Sequence, residues 1–446
     1  MKEHKNTATC AIETLGNVRM VAIPMSQHIG TPCKPTVSVG DTVLRGQMIG
    51  EVTAGLGCPV HASVSGKVIA IESRQNAMGN FIEHVVIESD GQDTLAPEIV
   101  PRGEGLSETS PEELIDIVRR AGIAGMGGAS FPTYAKIQSA LGKVDRLIIN
   151  SAECEPYITV NHRLMLEEPE SVINGTQILL KVFGVKEAWI AVEDNKMDAV
   201  RRLEEVIGES RRISVKVMKT KYPQGDERQL IYALTGKELP AGKLPADVGC
   251  VIFNAETCAS IYRAYVENMP LIERLVTVDG DCVRTPKNLR VPIGTPYMDL
   301  INACGGLKKM PNRVINGGPM MGFAQWDLSA PVTKGTSAIL VLSEDAMQKP
   351  AAVSACIRCG RCVKNCPMHL MPNYLAAYAQ AGRYADAEKL HAMNCVECGT
   401  CSYNCPGQVQ IVQYIRVAKG AIRAEQAAAR ARASVTAPDL GKGGKK

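Results

Sequence analysis

Eight of the 16 cysteines in this chain fall in two runs towards its carboxyl end, CIRCGRCVKNCPM and CVECGTCSYNCPG. Each run has the form C-x2-C-x2-C-x3-C-P. Cys356, Cys359, Cys362 and Cys366 are closed by Pro367, and Cys395, Cys398, Cys401 and Cys405 by Pro406. Three thiolates from a tight local turn and a fourth from further along can converge on one small object, and this spacing is the one that holds a [4Fe–4S] cluster. In two-run chains the fourth cysteine usually serves the other cluster. The expected sets are therefore Cys356, Cys359 and Cys362 with Cys405, and Cys395, Cys398 and Cys401 with Cys366. Zinc ribbons use two separated C-x2-C pairs and leave the third cysteine and the C-P step unexplained. A disulfide scaffold does not suit a chain of 446 residues with no mark of secretion.

A chain this long holds about three or four domains. Hydrophobic residues make up 45% and charged residues 22%, as in ordinary globular proteins. Aromatics are only 4%, which argues against base-stacking platforms and a nucleic-acid partner. The other cysteines, at 10, 33, 58, 154, 250, 258, 282 and 304, are irregularly spaced and read as reduced core thiols of a cytoplasmic protein. The start, MKEHKNTATC, is polar, so no signal peptide is expected. No run approaches the roughly 18 apolar residues of a spanning helix; a membrane-linked role would require docking on other subunits. The net charge of +4 is uneven: Arg416 to Lys446 carries eight basic and two acidic residues, +6, leaving −2 for the rest. That segment, 416–446, reads as a basic Ala-rich helix with a flexible GKGGKK end, either a solvated tail or a contact for anionic lipid or an acidic partner.

Taken in order, residues 1–95 show short strands and Gly turns, with Val37, Val39 and Val43 alternating with polar residues. The pattern VSVGDTVLRGQMIGE followed by SGKV resembles a biotinyl/lipoyl-type barrel-sandwich hybrid. Carrier domains of that type place a lysine at the hairpin tip, whereas the tip here, TAGLG at 53–57, has none; a docking or structural module is expected. After a Pro/Gly/Glu-rich linker, Ser110-Pro111-Glu112-Glu113 predicts a helix start with a capping box closed by Glu113, and Gly122 an end. Through residue 270, apolar strands at 145–150, 187–192, 213–218 and 249–254 alternate with helical patterns, which predicts a parallel α/β sheet with a ligand at the strands' carboxyl ends.

Two features fall where such a ligand would sit. GIAGMGGASFPTYAKI, 122–137, is a Gly-rich loop entering a helix. Gly125, Gly127 and Gly128 let backbone N–H groups approach a phosphate or a flavin ring, and Lys136 adds positive charge. The strand at 145–150 leaves through Asn-Ser-Ala-Glu-Cys-Glu-Pro, placing Asn150, Glu153 and Glu155 at its exit. A turn accounts for the Asn and the Pro, not for two carboxylates.

GMGGASFPTYAK and NSAECEPYITVNHRLM, with PQGDERQL (223–230) and FNAET (253–257), resemble the flavin- and NADH-binding subunit of respiratory complex I. With the hybrid module and the double cysteine motif, residues 20 to 420 resemble the C subunit of Rnf-type electron transport complexes. The resemblance implies that Gly125, Gly127, Gly128, Lys136, Asn150, Glu153, Tyr222, Gly225 and Asn254 surround FMN. It implies that Phe131, Glu155 and Glu227 lie near NADH. Met126, Ala152 and Cys154 depart from the complex I motif, where Arg, Asp and Gly stand, so fewer FMN contacts are expected.

The implied fold is multidomain α/β and β. A barrel-sandwich hybrid occupies 1–95, a Rossmann-like FMN/NADH domain 96–270, a β-grasp insert 271–345, and an α-helical ferredoxin-like domain for two [4Fe–4S] clusters 346–415. The implied function is the peripheral electron-transfer subunit of a membrane-bound ferredoxin:NAD+ oxidoreductase, on the cytoplasmic face. It would exchange hydride between NAD(H) and FMN and single electrons through the clusters, reaching ferredoxin only through another subunit, while other subunits move Na+ or H+. Two alternatives stand: a soluble corrinoid reductase, and a cluster-only relay with no working flavin site.

Overall fold

In a computed structural model, which describes residues 3–102, 105–346 and 353–436, the four apolar runs between 145 and 254 form one parallel sheet. In space the order is Ile213–Met218, Ala188–Glu193, Arg146–Asn150, Cys250–Asn254. Leu147, Ile148 and Ile149 are fully buried, as expected of a strand covered on both faces. The helices Pro169–Phe183 and Ala255–Val266 approach so closely that a Cβ on Gly175 would lie 1.9 Å from the carbonyl oxygen of Cys258. Gly175 is the residue that permits this contact.

The helix expected after the linker runs Pro111–Arg120. Ser110 Oγ accepts from the Glu113 N–H at 3.1 Å. The reciprocal half of the capping box is replaced: the Glu113 carboxylate pairs with Arg102 at 3.1 Å.

Residues 20–89 form the module expected at the amino end. One sheet has the order Met20–Pro24, Phe81–Ser89, Gly66–Gln75, Thr42–Val43; a smaller one comprises Lys34–Pro35, Met48–Glu51 and Val60–His61. Val43 is buried, but Val39 is exposed, because Asp41 closes a turn on the Ser38 N–H at 2.8 Å. The lysine-free tip is not a free arm: the Thr31 N–H donates to Leu56 O at 2.7 Å.

The first strand, Ile12–Thr14, leaves this module. It pairs with Lys287–Pro292 at the edge of a six-stranded mixed sheet that also contains Glu273–Asp279, Ala338–Leu342, Arg313–Asn316 and Phe323–Gln325. Within that domain the run LRVPIGTPYMDLI, which reads as strand in the sequence, is strand only as far as Pro292 and then folds as a helix, Tyr297–Ala303, with Tyr297, Leu300 and Ile301 buried on one face.

The chain divides into two compact units, Met1–Gln348 and Lys349–Lys446. The second is helical. Its last helix, Ile411–Thr436, begins before the boundary expected at 416, because Ile411, Ile415, Ala418 and Ile422 form a buried stripe on the core of that unit. The GKGGKK end lies outside the described residues. Among the described residues no helix is long and apolar enough to cross a membrane.

Candidate functional site

The order of the parallel sheet sends the chain in opposite directions from Arg146–Asn150, towards Ala188–Glu193 on one side and Cys250–Asn254 on the other. Such a reversal leaves a crevice at the carboxyl ends of the two strands. Asn150 and Asn254 face each other there in register. Asn254 Oδ1 caps the following helix at the Glu256 N–H (2.9 Å), and its Nδ2 donates to Asn150 O (3.4 Å). Asn150 Nδ2 donates to Gly225 O at 2.9 Å. Gly225 is needed at that approach, since a Cβ would lie 2.8 Å from Ala152 O.

The Gly-rich loop lies against the same strand end. Its Gly125 N–H donates to Phe131 O (2.9 Å) and its Met126 N–H to Thr257 Oγ1 (3.2 Å). A Cβ on Gly127 would come within 3.0 Å of Asn254 Nδ2, whereas one on Gly128 would meet nothing within 4 Å. Both glycines are exposed, and so is Phe131, at 36%. Lys136, on the helix Thr133–Ala140, reaches Glu227 Oε1 at 2.6 Å. Contacts thus link the loop, Asn150, Gly225 and Asn254, and pair Lys136 with Glu227.

The two carboxylates at the strand exit take different parts. Glu153, expected at FMN, turns to the helix Val160–Glu167 and accepts from the N–H groups of Asn161 (2.9 Å) and His162 (3.4 Å). Thr159, at the cap position, does not serve that helix because its hydroxyl is spent on Thr7 and Asn288. Glu155 instead accepts from the N–H groups of Met320 (3.1 Å) and Met321 (2.9 Å), with Tyr222 as a further side-chain partner. Lys5 Nζ holds the intervening backbone through Glu153 O, Glu155 O and Ile158 O, at 2.7, 2.9 and 2.6 Å.

Burial pushes the Glu155 carboxyl up to about 7, against the hydrogen bonds that favour its anion. The folded chain therefore keeps this proton to about pH 7, while the unfolded chain releases it near the ordinary glutamate value of 4.5. Across that window the folded state binds more protons, so this group's contribution to stability declines as pH rises. In thermal melts between about pH 5 and about pH 8, Glu155→Gln is expected to lose less stability than the parent chain. Equal slopes would show that Glu155 is not the group responsible.

In the second unit two cavities gather the eight motif cysteines. One is lined by Cys366, Cys395, Cys398 and Cys401, the other by Cys356, Cys359, Cys362 and Cys405. Each draws three thiols from one loop and the fourth from the other. Among the described residues, no three His, Cys, Asp or Glu side chains converge on a point that suits a single metal ion. Four thiolates around one cavity are the donor set of a cubane, whose irons and sulfides stand between them. Backbone N–H groups already point at the sulfurs: Leu370 to Cys366 Sγ and Glu397 to Cys395 Sγ, both at 3.4 Å.

Comparison with known proteins matches four segments of the chain to family models. Residues 1–92 match the RnfC barrel sandwich hybrid domain, 118–263 the Nuo51 FMN-binding domain, 275–324 the SLBB domain and 352–432 a 4Fe-4S dicluster domain. Over 408 residues the chain is 48% identical to the C subunit of the Na(+)-translocating ferredoxin:NAD(+) oxidoreductase complex of Acetobacterium woodii, covering 91% of this chain and 92% of that one. The chain belongs to the Rnf C-subunit family. The proton-translocating counterpart from Clostridium ljungdahlii is 45% identical over 422 residues, 94% of this chain and 92% of its own. Among solved structures, an NAD+-reducing [NiFe]-hydrogenase in the H2-reduced state is similar at a TM-score of 0.49 and 18% identity, over 70% of this chain and 63% of that one.

In this Rnf C-family chain the departures from the complex I motif become packing residues. Met126 is buried, its sulfur 3.7 Å from Ser260 Oγ. Cys154 Sγ accepts from the Gly225 N–H at 3.4 Å, and burial pushes its thiol up to about 12. The SLBB domain supplies contacts that sequence reasoning missed. A Cβ on Gly318 would lie 2.2 Å from Glu155 Oε2, so the Gly317-Gly318-Pro319 turn clamps that carboxylate; the paired glycines were the available signal. Buried Lys334 donates to Gly122 O (2.7 Å) and Pro59 O (2.8 Å). It ties the root of the Gly-rich loop to two other domains, and nothing local in the sequence marks it.

Proposed function

We propose that this Rnf C-family chain exchanges hydride between NAD(H) and FMN and passes single electrons through two [4Fe–4S] clusters. It does so as the electron-transfer subunit of a membrane-bound ferredoxin:NAD+ oxidoreductase, attached peripherally on the cytoplasmic side. Other subunits meet ferredoxin and move Na+ or H+. The observation that carries the reading is that one chain holds both a Gly-lined crevice at the reversal of a parallel sheet and two four-thiol cavities built from interleaved loops.

Bound FMN would supply the conversion between a two-electron hydride and single electrons. Gly125, Gly127 and Gly128 leave room for it and the N–H groups of Gly127 and Gly128 are available as backbone donors, while Asn150, Gly225 and Asn254 fix the wall of the crevice. Lys136 places a positive charge for an anionic group, and Phe131 offers a ring face for stacking. Glu227 and Glu155 line the nucleotide side, and Tyr222, a side-chain partner of Glu155, belongs to the FMN set. Glu153 supports the site by capping its helix. In fold terms these parts are a Rossmann-like flavin domain, a β-grasp SLBB domain and a ferredoxin-like cluster domain.

The test is an anaerobic NADH titration of the reconstituted chain. One flavin and about eight irons per chain are expected, with flavin and cluster absorbance both bleaching as NADH is added. Flavin that binds but stays oxidised under NADH would sink the reading.

A further inference from the structure

The two cysteine loops share a backbone and differ in side chains. Residues 39 apart adopt matching left-handed conformations: Arg358 and Glu397 at φ 54° and 57°, Gly360 and Gly399 at 75° each, His369 and Gln408 at 52° and 54°. Short helices, Arg361–Lys364 and Thr400–Tyr403, follow at the same offset. Holding a cluster accounts for what is common to the loops, and not for what separates them.

They differ in cover and in charge. Cys356, Ile357, Arg358 and Cys359 are all exposed, whereas no residue from 395 to 402 is. The helix Ile411–Thr436 covers the second loop: its Lys419 Nζ donates to Cys395 O (2.7 Å) and its Val412 N–H to Ser402 Oγ (3.0 Å). The single charge in that loop, Glu397, is neutralised by Lys419 and Arg416 at 2.5 and 3.1 Å. The first loop has Arg358, Arg361 and Lys364 where the second has Glu397, Thr400 and Tyr403. All three cations are exposed, and none has a carboxylate within 4.0 Å among the described residues. Apart from its cysteines, the second cavity is lined by Gly399 and apolar side chains; the first includes Arg358, Arg361 and Gln380.

We propose that the Cys356 loop is where this chain exchanges single electrons with an acidic protein surface, and that the Cys395 loop serves transfer inside the subunit only. The proposal rests on reading the two cavities as cluster sites. One electron leaves the reduced partner and enters the cluster held by Cys356, Cys359, Cys362 and Cys405; no bond is made and no proton moves. Exposed ligands shorten the path between partners, and a cationic rim without a carboxylate partner among the described residues attracts an anionic face, raising association rates by about 10- to 1,000-fold at low salt. The alternative is a solvated charge run with no partner, which predicts no effect on rate.

The experiment is anaerobic stopped-flow oxidation by the full reconstituted chain of a small, reduced, acidic iron–sulfur protein, a bacterial-type ferredoxin that stands in for the acidic face of a neighbouring subunit. The comparison is with Arg358→Gln/Arg361→Gln/Lys364→Gln and with a control that removes the same three charges elsewhere, Arg423→Gln/Arg430→Gln/Arg432→Gln. The rim variant is expected to react about tenfold or more slowly at roughly 0.01 M ionic strength, and to lose the steep decline with salt that the parent shows. The control is expected to behave as the parent. A rim variant as fast as the parent, an unchanged salt slope, or an equally slow control would overturn the proposal. Iron is counted separately: a parent chain that takes up well short of about eight irons would overturn the cluster reading itself.

Discussion

Alanine in place of Cys366 is expected to erase the same paramagnetic signal as alanine in place of Cys401, and alanine at Cys405 the same signal as alanine at Cys362. Cys366 belongs to the first run in sequence but lines the cavity of the second; Cys405 does the reverse. Each cluster would therefore bind both loops together, and the loss of one ligand should remove about four of about eight irons. The effect should extend to folding. Cys362 and Cys401 are buried members of the core of the second unit, alongside Leu375, Ile411 and Ile415, so the free energy of holding a cluster is part of that unit's folding free energy. Dithionite-reduced samples of the four variants, compared by electron paramagnetic resonance and iron content, decide the matter. If Cys366→Ala grouped with Cys362→Ala instead, the interleaving would be wrong.

Valine in place of Gly128 is expected to release flavin while leaving the flavin-free chain as stable as the parent. A Cβ at Gly128 meets no protein atom within 4 Å, and the residue has no left-handed backbone to strain. Any penalty must then come from what occupies the crevice. Overpacking of this kind costs about 1–3 kcal/mol, or roughly 5- to 150-fold in affinity. Gly127→Val provides the contrast, because its Cβ would press on Asn254 at 3.0–3.3 Å even without a ligand. Flavin fluorescence titration and thermal melts of the flavin-free proteins separate the two effects. Full flavin affinity in Gly128→Val would move the site elsewhere.

Much of the cluster domain could be read from the residues alone because its constraint is local. Four thiolates at fixed steps, closed by proline, leave few geometries that serve all four. The Gly-rich loop and the strand exit were legible for a related reason: both sit next to a strand whose β-branched, apolar run announces itself. Glu153 shows where that reasoning stops. A carboxylate beside a candidate site looks like a ligand residue, yet its partner was fixed by Thr159, whose hydroxyl had been taken by Asn288, 129 residues away. The helix Tyr297–Ala303 was missed because its short apolar face, read in one dimension, also fits a strand.

The order of the residues by itself determined which family the chain resembles, and it pointed to flavin and iron–sulfur chemistry through the spacing of eight cysteines and a Gly-rich loop beside a strand. These depend on valence and on neighbours within a turn. Only the tertiary structure decided what holds those groups in place. Lys5 pins the loop at 153–158, the turn at Gly318 clamps Glu155, Lys334 anchors Gly122, and the helix from Ile411 shields one cysteine loop while its twin stays open. Each of the first three is a hydrogen bond between groups more than 100 residues apart. Such a bond forms only once packing has brought a donor and an acceptor together, and apart from the paired glycines at 317 and 318 nothing local marks it.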